Sequence, residues 1–306
     1  MALMDRRLVG VAVLVLAIVA VAVVPNLQGR RVAGTSVAVV FAAPPQVGDC
    51  ALPPLPEAED GAWIQQVRVT DLRFGPCSGD IAGEVVGLRD FDPNWPDADT
   101  FRGRGPCFRE TAGYAGLSVN RRSSTLPEVP FDGVVSWTPT IGTRALLIMP
   151  GTRERNAGAT WAGCLAVPTE GGKYQGSLRA AHTSGRMPDV FGLCWDSVDL
   201  DESMNLLACN EPHPAELLAT GWVRNRQLVT SDKIAASCTD IAGRIMHTSD
   251  PTRGGALAII LDPVSRDGAA VPNAPLSVSC FVSSAGPTQL VGTLIGIGER
   301  PIPFAS

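Results

Sequence analysis

The chain carries eight cysteines in two quartets that have a similar layout. Cys77 is followed seven residues later by Glu84, and Cys209 is followed seven residues later by Glu216. The second and third cysteines are 30 residues apart in the first quartet and 29 apart in the second. An ordered set of matching spacings indicates an internal duplication. The repeated unit is much longer than a solenoid repeat, so we expect two small tandem domains.

The cysteine spacings favour disulfide bonds over metal binding. The number is even, no C-x-x-C pair occurs, and no cysteine–histidine cluster has zinc-ligand spacing. Disulfides persist in oxidising compartments, so the cysteines are expected outside the cytoplasm. Four cysteines permit three pairings in each repeat. We favour first with second and third with fourth, because Cys194 and Cys209 lie on consecutive predicted strands. The predicted bridges are Cys50–Cys77, Cys107–Cys164, Cys194–Cys209 and Cys238–Cys280.

An apolar segment near the N-terminus predicts a membrane anchor. Residues 8–24 are uncharged and almost all apolar, and they follow Arg6 and Arg7. As a helix they span roughly 25 Å, slightly less than the ~30 Å hydrocarbon core of a bilayer. The run is longer than the core of about 7–15 residues in a cleaved signal peptide. We therefore favour an uncleaved single-pass anchor in the cell membrane, with a cytoplasmic N-terminus and extracytoplasmic domains. Cleavage near Ala20 and Ala22 stays an alternative.

The pattern of apolar runs and turn residues predicts an α+β protein. Each half is expected to contain a mainly antiparallel sheet and one main helix, over residues 106–117 in the first half and 231–246 in the second, with Ser231 as the N-cap. A further strand is predicted over residues 289–295. The predicted organisation is an N-terminus and anchor over 1–30, a juxtamembrane linker over 31–45, a first domain over 46–168, a linker over 169–189 and a second domain over 190–306.

Several of these residues resemble the septum formation domain family, which occurs in actinobacterial cell-envelope proteins, usually behind one transmembrane helix. The resemblance rests on Val47-Gly-Asp-Cys50, on Cys209-x-x-Pro-His-x-x-Glu216, and on a helix-borne Cys238 followed by a strand-borne Cys280. It covers most of residues 46–290, once in each half. The first half departs from it, because Asp80-Ile81 stands where the second half has Pro-His. The family's tryptophan before the last cysteine is present as Trp161 and absent near Cys280.

The resemblance implies no known catalytic residue. The predicted anchor, the predicted disulfides and the lack of a catalytic motif favour a non-catalytic, membrane-anchored extracytoplasmic protein that binds or scaffolds partners in the cell envelope, at the septum, the cell wall or a membrane protein complex. No cofactor and no metal are expected. The expected partners are membrane or envelope proteins, besides the bilayer that residues 8–24 enter. A net charge of −5 gives no sign of a nucleic-acid partner.

His213 and Glu216 are the residues that a catalytic hypothesis would use. They lie three residues apart and could act as an acid–base pair or as metal ligands. Pro212 and Pro214 flank the histidine, however, so the segment is expected to be a turn, and a structural or surface role is favoured. The alternative is a cell-wall hydrolase or a metal-dependent enzyme that uses these two side chains. Glu84 occupies the repeat position of Glu216, which favours a hydrogen bond at a strand edge or an arginine pair.

The segment over residues 90–99 is an acidic loop that contains proline. A calcium-binding interpretation fails in detail, because Trp95 stands where an EF-hand needs glycine and Phe101 where it needs glutamate. Trp95 is a candidate contact with a partner, and the favoured alternative is a solvated loop without a binding role. The candidate partner-binding residues are therefore Trp95, His213 and Glu216.

Overall fold

The computed structural model describes residues 14–16, 18, 43–55, 64–90, 106–117, 135–198, 205–223, 230–264 and 276–305. The chain divides into two compact units, residues 1–42 and residues 43–306. In the first unit only Leu14, Val15, Leu16 and Ile18 are described, and these four are helical. The remainder of the predicted anchor over residues 8–24 lies outside the described residues. Within the described part of the chain, no helix has the length and apolar character needed to cross a bilayer.

The first half forms a six-stranded sheet in the order β2-β6-β7-β4-β1-β3. Its elements are β1 (Cys50–Leu52), β2 (Ile64–Arg68), β3 (Arg73–Gly75), β4 (Gly83–Asp90), α1 (Pro106–Tyr114), β5 (Val135–Pro139), β6 (Thr143–Met149), α2 (Thr152–Asn156) and β7 (Trp161–Pro168). A short 3-10 helix covers Val69–Asp71. The strands pair antiparallel except β2, which pairs parallel with β6. β7 is central and almost wholly buried, which explains its nearly unbroken apolar sequence.

The second half forms a sheet in the order β11-β12-β10-β8-β9. Its elements are α3 (Ala181–Ser184), a 3-10 helix (Asp189–Phe191), β8 (Cys194–Trp195), β9 (Leu206–Leu207), β10 (Ala215–Val223), α4 (Ser231–Met246), β11 (Leu257–Val264) and β12 (Leu276–Ser284). Every pairing in this sheet is antiparallel. The fold is therefore α+β with two sheets, as the sequence predicts.

The main helix of each half packs on its own sheet, α1 against β4, β6 and β7, and α4 against β10, β11 and β12. The buried face of α4 recurs every three or four residues, as an amphipathic helix requires, at Ile234, Cys238, Ile241 and Ile245. The predicted bounds of α4 are confirmed, but the residue that caps its N-terminus is Thr230 and not Ser231. α1 ends at Tyr114, three residues before its predicted end.

Matching strands of the two sheets share their registers. The antiparallel pair β4–β7 has a bulge between Val85 and Gly87, and β10–β12 has one between Leu217 and Ala219. A bulge places one extra residue on one strand and is a specific local feature. Its recurrence at the same repeat position supports the duplication that the cysteine spacing predicts.

The two halves nevertheless share one core. β5 comes from the predicted first domain but pairs with β10 in the second sheet. The Trp137 indole N–H on β5 donates a hydrogen bond to Ser237 Oγ on α4 at 2.7 Å. A single cluster of buried apolar residues includes Leu147 of the first sheet and Leu218 of the second. Residues 43–306 are accordingly one compact unit.

Two further sequence expectations are corrected. Residues 169–189, predicted as a linker, bury Tyr174, Leu178 and Ala181 in the core. These burials make the segment part of the compact unit and not a linker between separate domains. Over residues 289–295, where a strand is predicted, the structure has isolated bridges at Leu290, to His213 and Phe304, followed by buried turns.

Candidate functional site

All eight cysteines are paired, in the four bridges that the sequence predicts. In each half the first bridge joins the strand beside β4 or β10, which is β1 or β8, to the segment before that long strand. The second bridge joins the main helix to the last strand, Cys107 to Cys164 and Cys238 to Cys280. The Cα atoms of the bridged residues lie 5.2–5.6 Å apart, which is usual for disulfides.

Glu216 is fully buried beside the first bridge of the second half. Its Oε1 accepts a hydrogen bond from the Thr293 hydroxyl, and its Oε2 accepts one from the Leu294 N–H at 2.6 Å. Burial raises the pKa of Glu216 to about 7, although these two hydrogen bonds oppose the increase. Gly192 makes room for the carboxylate, because a Cβ there would lie 2.8 Å from Glu216 Oε1 and 2.3 Å from Cys209 Sγ.

Glu84 makes the same contacts in the first half. Its Oε1 accepts a hydrogen bond from the Ser177 hydroxyl, and its Oε2 accepts one from the Leu178 N–H, both at 2.7 Å. Glu84 Oε1 also accepts a hydrogen bond from the Tyr114 hydroxyl. Burial and this bond to Glu84 raise the pKa of Tyr114 to about 12. Each glutamate therefore fastens the segment that follows the last strand of its half.

His213 is fully buried and held by a hydrogen bond at one ring nitrogen. Its Nδ1 donates to the Glu211 carbonyl at 2.7 Å, so Nε2 carries no hydrogen and only contacts the disulfide-bonded Cys194 Sγ, 3.0 Å away. Its backbone exchanges two hydrogen bonds with Leu290. Burial lowers the pKa of His213, which favours the neutral ring.

In the first half, Ile81 stands at the position that matches His213, and its role there is structural. Ile81 exchanges the same two backbone hydrogen bonds with Tyr174 that His213 exchanges with Leu290. Ile81 is also fully buried and carries no group that could bind a ligand through a hydrogen bond. The repeat therefore requires a buried bridge at this position and not an imidazole.

Two groups of side chains bring possible metal-ligand atoms within 4.8 Å of one another, Cys194 with Cys209 and His213, and Cys50 with Cys77 and Glu84. In both groups the two sulfur atoms are joined in a disulfide. The thiolate is the form of cysteine that binds a metal. With the bridges intact, each group offers only one ordinary ligand, the imidazole or the carboxylate.

Two of the three predicted partner-binding residues lie in the interior. His213 and Glu216 are both fully buried, so neither side chain can contact a partner, and this expectation is corrected. Trp95 and its acidic loop lie outside the described residues. Glu216 does form the hydrogen bond at a strand that its shared repeat position predicts, with a hydroxyl and a backbone N–H as its donors.

The donors to the two glutamates are functional residues that the sequence reasoning missed. Ser177 follows Cys164 by 13 residues, and Thr293 follows Cys280 by 13 residues. In both halves the donor stands in a Gly-(Ser/Thr)-Leu triplet. This repeated triplet is a signal from which the alignment of the halves could have been extended.

A pair of histidines lies where the halves meet. The rings of His182 and His247 are 4.7 Å apart between centroids and nearly perpendicular. Both ring nitrogens of His182 are buried, and neither makes a hydrogen bond of good geometry, although the backbone of Gly116 and of Ile245 lies close enough to oppose the fall in its pKa. Burial, together with the neighbouring His247, lowers the pKa of His182 to about 4. His182 is therefore neutral at physiological pH.

A cleft of about 320 Å³ lies between the segment that follows β7 and the outer strand β9. Its lining includes Leu206 and Leu207, two carboxylates of Glu170 and Glu211, and the ammonium group of Lys173. Lys173 Nζ lies 3.7 Å from an Asp80 carboxylate oxygen. The lining has no dominant charge that would select one class of ligand.

Comparison of the chain with protein-family models, with curated proteins and with solved structures finds no match. The resemblance to septum formation domains therefore stays a prediction from the sequence.

Proposed function

We propose that the chain is a non-catalytic, membrane-anchored extracytoplasmic protein whose two disulfide-stapled halves bind or scaffold partner proteins in the cell envelope. This proposal is supported by the structural roles of Glu216 and His213, the two residues that a catalytic hypothesis needs. Glu216 is fully buried and fastens the C-terminal segment of its half, as Glu84 does in the first half. His213 occupies a bridging position that Ile81 fills equally well.

The proposed location outside the cytoplasm is supported by the disulfides. Four bridges hold a compact unit of 264 residues, from Ala43 to Ser306. Such bridges persist in an oxidising compartment. The apolar residues 8–24 supply the proposed anchor, and Trp95 supplies a proposed partner contact in the first half.

Crosslinking in intact cells, followed by mass spectrometry, tests the binding function. The full-length protein is expected to recover a reproducible set of membrane or division proteins. A Trp95→Ala variant should recover less of the partner that the acidic loop contacts, while a Trp222→Ala variant serves as a control for loss of an exposed tryptophan. The absence of any reproducible envelope partner would overturn the proposal.

An assay on cell-wall fragments tests the hydrolase alternative. Purified full-length protein and a His213→Ala variant are expected to release no soluble fragments beyond a protein-free control. Release by the natural protein that the His213→Ala variant loses, while its melting temperature stays within a few degrees, would establish an enzyme instead.

A further inference from the structure

β6 and β11 are the matched strands at the outer side of the two sheets. Leu147 on β6 lies opposite Cys164, and Leu261 on β11 lies opposite Cys280, which fixes the correspondence. In the first sheet β2 covers the outer edge of β6 as a parallel strand, from Ile64 to Arg68. In the second sheet no described strand pairs with the outer edge of β11.

Matched side chains of β6 and β11 differ in exposure. Leu146, Leu147 and Ile148 on β6 are at most 7% exposed. Their counterparts in the register of the two sheets, residues 260–262 of β11, are all partly exposed. Ile260 and Leu261 therefore leave apolar surface on the strand that matches β6, beside an edge that no described strand covers.

The backbone of β11 offers hydrogen-bonding groups along this edge. Neighbouring residues of a strand direct their N–H groups to opposite edges. The N–H of Leu257 donates to the Thr252 carbonyl and not to β12, so Ile259 and Leu261 direct their N–H groups to the outer edge. Pro263 has no N–H, and proline in sheets is confined to edges or strand ends. The pairable edge therefore ends before Pro263.

We propose that the outer edge of β11 binds an extended segment of a partner protein, which adds to the second sheet as a parallel strand in the way that β2 adds to the first. Strand addition of this kind derives its affinity from backbone hydrogen bonds and its specificity from alternate side chains. The proposal rests on the partner-binding function proposed above and names the surface that carries it.

The chemistry of the expected segment follows from both sides of β11. Ile259 and Ile260 are partly exposed and lie on opposite faces of the sheet, because successive side chains of a strand alternate. The segment should therefore carry an aliphatic residue on each face. The sequence of β2 fits this condition, because it contains two aliphatic residues, Ile64 and Val67, an odd number of positions apart.

A second copy of the chain does not fit this edge in the same way. Two identical strands related by a twofold axis pair antiparallel when the axis is perpendicular to the sheet, whereas β2 pairs parallel with β6. The β2 of a second copy is already part of its own first sheet. The proposed occupant is therefore a different protein, and pairing with a second copy is an outcome that the test below distinguishes.

Hydrogen exchange and peptide binding test the proposal on the full-length protein in detergent. In the free protein, the amides of Ile259 and Leu261 should exchange at least tenfold faster than those of Ala145 and Leu147 on β6. A synthetic peptide of residues 62–70, which contains β2, should slow them. The same peptide N-methylated at residues 65–67 should bind at least tenfold more weakly, because it cannot pair through its backbone.

Three results would overturn the proposal. Slow exchange at Ile259 and Leu261 in the free monomer would show that another part of the chain covers the edge. If sedimentation shows a dimer, and if its dissociation also removes the protection of these amides, the occupant of the edge is a second copy of the chain. Equal affinities of the two peptides would exclude strand addition.

A variant separates failure of this inference from failure of the proposed function. Ile260→Lys places a charge beside the edge, and Val198→Lys makes the same change at a side chain that is 45% exposed elsewhere. If an envelope partner is recovered equally by both variants, the β11 inference fails and the binding function stands. Loss of the partner with Ile260→Lys alone supports the inference, and recovery of no partner by the natural protein overturns the function itself.

Discussion

Glu84 and Glu216 each accept a hydrogen bond from a hydroxyl group and another from the backbone N–H of the next residue. The two sites differ in their surroundings. Glu84 has a third donor, the Tyr114 hydroxyl, which in turn accepts a hydrogen bond from the Arg179 guanidinium at 3.2 Å. Glu216 has no such donor among the described residues and faces the negative charge of Asp189. The two halves therefore share the two hydrogen bonds to the glutamate, but they differ in the charged and polar groups around it.

Replacing Glu216 by glutamine should remove a pH dependence of folding. The pKa of Glu216 is 4.5 ordinarily and about 7 when folded, so the folded state holds the proton more tightly. The stabilisation from the protonated Glu216 side chain is fully present below pH 4.5. It is lost as the pH rises through 7, and the free energy of unfolding then falls by about 3 kcal/mol. Relative to the natural protein, Glu216→Gln should therefore gain stability by about this amount between pH 4.5 and 7.5. Urea unfolding at a series of pH values measures the difference.

The matched control for that experiment is Glu84→Gln, which makes the same change at the same repeat position. It should lower the free energy of unfolding by removing a buried carboxylate that accepts three hydrogen bonds, but it should leave the slope caused by Glu216 in place. A Glu216→Gln profile parallel to that of the natural protein would contradict the assignment.

Replacing His182 by phenylalanine should change the pH profile in the opposite sense. The pKa of His182 falls from 6.5 to about 4 on folding, because the buried ring is desolvated. The neutral ring's contribution to stability is fully present above pH 6.5 and is lost as the pH falls towards 4. His182→Phe should therefore gain stability relative to the natural protein as the pH falls through this window, measured by urea unfolding. His213 adds a slope of the same sign that both proteins retain.

His247→Asn is the control for His182→Phe. His247 is exposed and has a left-handed backbone with φ of 60°, a conformation that asparagine tolerates. This variant should change the acid slope less than His182→Phe does. Equal changes in the two variants would mean that the slope belongs to the pair and not to the buried ring.

The sequence predicts what depends on local pattern and on the repeat. The pairing of Cys194 with Cys209 follows from their position on neighbouring predicted strands, although Cys209 lies in the turn after β9. The bounds of α4 follow from its apolar period. The crossing of β5 does not follow, because an apolar strand pairs with whichever sheet edge the rest of the chain leaves open. The burial of His213 also cannot be predicted from the sequence, because a histidine between two prolines has the local pattern of an exposed turn. The Gly-Ser-Leu triplet at Ser177 has the composition of a linker, although its polar groups bind a buried carboxylate.

Removing the bridges one at a time should rank them by the length of the loop that they close. Cys194–Cys209 closes 15 residues and Cys107–Cys164 closes 57. In the chain-entropy account, the corresponding double alanine variants should lose about 3 and about 4 kcal/mol of unfolding free energy. Urea unfolding under non-reducing conditions measures both losses. A larger loss for the shorter loop would mean that packing around Cys194 and His213 outweighs loop entropy.

Trp137 should stabilise both halves, although β5, the strand that carries it, comes from the first half of the sequence. Its ring is 3% exposed in the core cluster shared by the halves, and its N–H is bound by Ser237 on α4. Trp137→Ala should lower the free energy of unfolding by about 3–5 kcal/mol. Trp137→Phe should lose less, about 1–3 kcal/mol, because it keeps an aromatic ring and removes only part of the side chain together with the hydrogen bond that the indole N–H donates. Trp222→Phe, on the neighbouring strand β10 and 43% exposed, is the matched control and should change stability by less than about 0.5 kcal/mol.

Since one core joins the halves, calorimetry should show a single transition that moves as a whole in Trp137→Ala. Two separate transitions, of which only one moves, would show that the halves fold independently.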